Sequence, residues 1–167
     1  AYQRENAALA ARAFEVLVSM ETGKAASRLA AVDFPEAVRA TVWTGRMQEL
    51  FPNVFLDGAH NTDGVQRMSE AGAELARQRG KRPLLLTTSV QDKELGAIAE
   101  TFVKVLAPAR IYLALLSSAR RTSVEALEAL YQNAGGSELR SSETVAEAYR
   151  LARAEQGADE ILFIAGS

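Results

Sequence analysis

An aspartate, two small residues and an imidazole stand together at Asp57-Gly58-Ala59-His60, directly after the short apolar run Val54-Phe55-Leu56. A carboxylate and an imidazole placed where a buried strand ends and a helix begins can share one crevice, beside the orphan amides of the helix start. Such a pair can move protons or hold the polar end of a ligand. His60 is the only histidine in 167 residues, and there is no cysteine. One histidine and one aspartate make a poor metal site, and thiolate ligands, disulfides and cysteine nucleophiles are excluded. The competing reading is structural, with Asp57 capping the following helix and His60 half-exposed in a loop.

Other charged groups fall at comparable places. Arg46, in Trp43-Thr44-Gly45-Arg46, is either a surface ion-pair partner or a phosphate clamp, since a guanidinium meets phosphate oxygens at two points. Asp92-Lys93-Glu94 is either the capped start of a helix or part of a polar site, and Arg120-Arg121 carries the same two readings. Together with Gly166-Ser167, these loops fall at the carboxyl ends of expected parallel strands, where such sheets bind ligands. Their content suits an anionic partner. No Gly-x-Gly-x-x-Gly follows a strand, no Gly-x-x-x-x-Gly-Lys-Ser/Thr occurs, and no Gly-x-Ser-x-Gly elbow is present. Nicotinamide binding, a phosphate-cradling loop within this chain and a serine-hydrolase site are therefore unsupported.

The elements that must position these residues follow from hydrophobic periodicity. Apolar runs at 54–56, 84–88, 110–115 and 161–165 read as buried strands, with shorter ones at 47–50 and near Leu139. Helical patterns separate them: 62–78 with Val65, Met68, Gly72 and Leu75 inward, 92–107 with Leu95, Ile98, Phe102, Val105 and Leu106, 123–133, and 143–156. Continuous apolar strands alternating with helices predict a largely parallel sheet with right-handed crossovers, an α/β domain. Residues 1–42 break the alternation with helices at 3–19, 24–32 and 36–42, and are read as belonging to a preceding domain and linker. Residues 43–167 form the α/β domain. Both ends of the chain are read as cut from something longer.

Composition narrows the function classes. Hydrophobic residues make up 48% and the net charge is −2, with no run of more than two basic residues, so nucleic-acid or membrane-surface binding has no electrostatic support. No apolar stretch approaches the length of a membrane span.

Several motifs in order resemble one family. Gln3-x-x-Asn6-Ala7 opens a helix, and Trp43-Thr44-Gly45-Arg46 precedes Leu56-Asp57-Gly58-Ala59-His60-Asn61. Asp92-Lys93-Glu94, the Ser117–Thr122 arginine loop and a strand ending Ala165-Gly166-Ser167 complete the series. This is similar to the C-terminal part of folylpolyglutamate synthase/dihydrofolate synthase, in the Mur ligase superfamily. Tyr2 stands where that family usually has His, and Thr44 and Thr62 stand where it commonly has Pro. The resemblance implies a Rossmann-like domain with helices on both faces of a mostly parallel sheet, preceded by the helical end of an ATPase domain (1–42). It also implies an ATP-dependent ligase that joins glutamate to a folate or dihydropteroate carboxylate through an acyl phosphate. Asn6, Arg46 and Asp57 would then contact ATP, with Lys93 a further candidate and His60 the catalytic candidate near the phosphates or the incoming amino acid. ATP and Mg2+ are the implied cofactors, the metal ligands lying in the ATPase domain. A cytoplasmic monomer, inactive without its ATPase domain, is expected. The rival readings are another Mur-type ligase of cell-wall synthesis, a small-molecule methyltransferase and a non-catalytic interaction module.

Overall fold

The computed structural model describes residues 2–41, 43–88, 94–116 and 123–166. The chain divides into two compact units, Ala1–Trp43 and Thr44–Ser167. The first contains three helices, α1 (Tyr2–Met20), α2 (Gly23–Ala30) and α3 (Phe34–Ala40). Asp33 caps α3 by accepting the Glu36 amide at 3.0 Å, with Pro35 in the first turn, where its fixed φ suits the helix. Phe14 and Phe34 stack with ring centroids 5.0 Å apart. Gly23 is the first residue of α2.

The second unit is a six-stranded sheet. Its strands are β1 (Gln48–Phe51), β2 (Val54–Asp57), β3 (Arg82–Thr88), β4 (Arg110–Ala114), β5 (Leu139–Ser142) and β6 (Glu160–Gly166), in the spatial order β1-β2-β6-β3-β4-β5. Only β1 pairs antiparallel, through a tight turn at Pro52-Asn53, whereas β2, β6, β3, β4 and β5 are mutually parallel. The helices are α4 (Thr62–Arg79), α5 (Leu95–Thr101), α6 (Val124–Asn133) and α7 (Val145–Glu155).

Crossover handedness decides which face each helix covers. The steps β2 to β3, β3 to β4 and β4 to β5 run one way across the sheet, so right-handed crossovers place α4, α5 and α6 on one face. The step from β5 back to β6 runs the other way and places α7 on the opposite face. The two cores agree. Val65, Met68, Phe102, Leu106, Leu127 and Tyr131 pack with Phe55, Leu85 and Phe163 on one side, and Ala148 and Ala152 with Val54, Leu84, Tyr112 and Leu162 on the other. This is the α/β, mostly parallel architecture expected.

Two local differences have physical causes. The helical pattern after Glu94 runs as α5 only to Thr101 and then widens into a π turn, Phe102–Leu106, closed by Ala107 N–H donating to Phe102 O at 3.1 Å. Val103 packs against the core beside Phe102 and Leu106, and Val105 is half-buried. At the other edge, Arg79 from the last turn of α4 clasps the β1–β2 hairpin. Its guanidinium donates to both Glu49 carboxylate oxygens, at 2.7 and 3.0 Å, and lies 5.0 Å over the Phe55 ring. Among the described residues no helix is long and apolar enough to cross a membrane.

Candidate functional site

β2 lies inside the sheet, between β1 and β6, and delivers Asp57 to its carboxyl end in register with Ala165. The side chain of Asp57 is 2% exposed. One oxygen, Oδ2, accepts the Met47 amide at 2.8 Å, and Oδ1 accepts the Ala59 amide at 2.9 Å. Arg46 Nη1 lies 3.9 Å from Oδ1, and the Arg46 side chain is 43% exposed. Asp57 is therefore not the helix cap. That role falls to Asn61, whose Oδ1 accepts the Gly64 amide at 2.8 Å, with Asp63 in the first turn complementing the dipole of α4.

The turn between β2 and α4 is tied on two sides. Gly58 N–H donates to Gly45 O at 2.7 Å, and Gly166 N–H at the end of β6 donates to Ala59 O at 3.1 Å. Ala59 is buried, while His60 is exposed. His60 Nδ1 lies 2.8 Å from Gly58 O. A carbonyl can only accept, so Nδ1 carries the proton in this bond, and in the neutral ring Nε2 keeps its lone pair for a ligand. At the start of α4, the Thr62 hydroxyl donates to the Glu94 carboxylate at 2.5 Å and joins that turn to the residue just before α5.

The fold thus brings Arg46, Asp57 and His60 together at one strand end. Asn6 is exposed on α1, in the first unit. Lys93 lies outside the described residues, as do Asp92, Arg120, Arg121 and Ser167. Sequence reasoning missed Gln48, whose Oε1 accepts the Gly45 amide at 2.9 Å, and the tie from Gly166. A glutamine two residues after a Gly-Arg pair carries no visible signal, because its role depends on the backbone of the loop. Among the described residues no group of three or more His, Asp or Glu could hold a metal ion.

This arrangement pairs an exposed cation with a proton-handling ring on a backbone held by a buried carboxylate. It suits an anionic ligand with a transferable charge, such as a nucleotide phosphate. No family model matches the chain. A curated relative from Halobacterium salinarum, named "Probable bifunctional folylpolyglutamate synthase/dihydropteroate synthase", is 30% identical over 134 residues, covering 78% of this chain and 16% of that protein. The resemblance to folylpolyglutamate synthase/dihydrofolate synthase holds. The crystal structure of the bifunctional folylpolyglutamate synthase/dihydrofolate synthase from Yersinia pestis superposes on this chain with a TM-score of 0.68 at 18% identity, covering 89% of this chain and 32% of its own. Folylpolyglutamate synthase of Mycobacterium tuberculosis, in structures named as complexed with ADP and AMPPCP, matches with a TM-score of 0.63 at 25% identity, over 82% of this chain and 33% of its own. The chain thus spans about a third of the length of these folylpolyglutamate synthases, and less of the curated relative.

Proposed function

We propose that this chain is the C-terminal, nucleotide-facing domain of an ATP-dependent ligase that adds L-glutamate to a folate or dihydropteroate carboxylate. The observation that carries the reading is the exposed Arg46 guanidinium, held beside the buried Asp57 carboxylate at the end of β2, with His60 on the same turn. In the proposed reaction a substrate carboxylate oxygen attacks the γ-phosphorus of ATP and ADP leaves. The glutamate amine nitrogen then attacks the acyl carbon, phosphate leaves with the bonding pair and the amine sheds a proton.

Arg46 meets charge on the transferring phosphoryl group, where a preorganised cation stabilises the transition state more than the ground state. His60 Nε2 faces the phosphates or the incoming amine as a proton acceptor. Asp57 is the buried anchor of the set, Asn6 supplies an adenine contact from α1, and Lys93 is a further nucleotide contact. Residues 1–42 represent the end of the ATPase domain, which precedes 43–167 covalently, and Mg2+ is held by that domain, not by the residues described here. An acyl phosphate hydrolyses readily, so closure of this domain over the nucleotide excludes water from the intermediate.

The test is ATP-dependent incorporation of labelled glutamate into dihydropteroate or tetrahydrofolate, comparing residues 1–167 alone with the full-length ligase. Incorporation is expected from the latter only. Robust ligation by residues 1–167 alone would overturn the division of the site between domains.

A further inference from the structure

Arg46 sits between two residues with positive φ, Gly45 at 71° and Met47 at 46°. The left-handed region is uncommon for a residue with a Cβ, and such a conformation persists where its surroundings over-determine it. Three hydrogen bonds do so here. Gly45 N–H donates to Gln48 Oε1 at 2.9 Å, Gly45 O accepts the Gly58 amide at 2.7 Å, and Met47 N–H donates to Asp57 Oδ2 at 2.8 Å. The Met47 side chain adds packing against the core that contains Phe55 and Val65. Both amides flanking Arg46 are therefore held by side chains, one on β1 and one on β2.

We propose that Gln48 is a positioning residue: with Asp57 as the second anchor, it holds the Gly45-Arg46-Met47 backbone in the one conformation that presents the Arg46 guanidinium at the β2–α4 turn. Gln48 touches no ligand in this scheme. It acts through the Gly45 amide, while Asp57, 2% exposed with its oxygens accepting backbone amides, holds the Met47 amide. Gln48 is only half-buried at the start of the edge strand β1, so its replacement leaves the sheet intact. The consequence for turnover rests on the nucleotide reading of Arg46, whereas the anchoring itself does not.

The test compares Gln48→Leu, which keeps the bulk and removes the acceptor, with Gln48→Glu, which keeps an acceptor oxygen. Amide exchange at Gly45 and Met47, read by NMR on the 167-residue chain, is expected to quicken roughly fivefold in Q48L, the worth of one neutral hydrogen bond, and to return toward wild type in Q48E. In the full-length ligase, kcat/KM for MgATP is expected to fall by a similar, roughly fivefold factor in Q48L and to recover in Q48E. It should fall no further when Q48L is added to Arg46→Ala, because the loop then has nothing to position. Unchanged exchange at Gly45 in Q48L would overturn the anchoring. An equal loss with and without Arg46 would overturn the positioning role. If exchange quickens but neither Q48L nor R46A alters the response to MgATP, the nucleotide reading of Arg46 fails, and the positioning role with it, while the anchoring of the loop stands.

Discussion

Gly166, the last residue of β6, tests how closely the strand ends beside the site are packed. Its φ is 126°, and a Cβ there would lie 2.4 Å from Thr88 O and 2.9 Å from Thr88 N, both backbone atoms of the neighbouring strand. Gly166→Ala therefore meets two costs. A φ of 126° lies outside even the left-handed helical region and costs an L-residue about 1–3 kcal/mol. The collision with backbone cannot be relieved by a rotamer change, and separating the ends of β3 and β6 costs a further 1–3 kcal/mol or so, the usual scale of overpacking. Movement of β6 also strains the Gly166–Ala59 hydrogen bond, worth about 1 kcal/mol. A total near 4 kcal/mol corresponds to a fall in Tm of roughly 15 °C for a domain of this size. Gly80 supplies the internal control, because its φ is 62° and a Cβ added there would meet nothing within 4 Å. Gly80→Ala carries the backbone cost alone, about 1 kcal/mol. The assay is urea unfolding of wild type, G166A and G80A with unchanged m-values. If G166A loses no more stability than G80A, the contact with Thr88 is not what excludes a side chain, and the reasoning fails.

Two further perturbations follow from particular residues. Ser69 is fully buried on α4 and its hydroxyl has no hydrogen-bond partner among the described residues, so Ser69→Ala should raise stability by about 1 kcal/mol, and a loss of that size in urea would show that the hydroxyl is satisfied. The Glu49 carboxyl is held below the ordinary carboxylate range, chiefly by its hydrogen bond from Arg79. A lowered folded value contributes stability above the unfolded value, near pH 4.3 or so, and loses it as pH falls through the folded value. Both side chains are about a third exposed, so the stability gap between wild type and Glu49→Gln should stay below about 1 kcal/mol at neutral pH and shrink as pH falls below about 4.3 and through the lowered folded value. A gap that does not change with pH would rule out the Arg79 pair as its source.

Much of the domain was legible because its strands are unbroken apolar runs and its helices carry a 3.6-residue stripe. Val54–Asp57 and Glu160–Gly166 could be found this way, and so could the turn that follows Asp57. The insertion of β6 between β2 and β3 could not, since strand order is decided by crossover direction and not by local pattern. The widened turn after Thr101 was hidden for a related reason: a π turn uses the same residue types as the α-helix it interrupts. At the site, Asp57 and His60 were visible from their place at a strand end, and Arg46 from the Gly-Arg pair. What Asp57 does was not visible. A carboxylate before a helix suggests a cap, yet here Asn61 caps and Asp57 turns back to the Met47 amide, ten residues upstream. Gln48 was invisible for the same reason, because its partner is a backbone amide presented by a loop conformation.

In the proposed function, Arg46 presents positive charge to a nucleotide being cleaved in ligation. The most direct test of this claim is the kcat/KM for ATP of the full-length ligase carrying Arg46→Ala, measured as ADP release coupled to glutamate incorporation. Arg46 is 43% exposed, and its loss also removes the cation 3.9 Å from the buried Asp57 carboxylate, so the variant's thermal transition is recorded beside its kinetics to establish that it is folded at the assay temperature. The predicted loss in kcat/KM is roughly 10²–10³, as when a single preorganised donor to transition-state charge is removed. Wild-type kcat/KM for ATP in a normally folded Arg46→Ala ligase would contradict the claim.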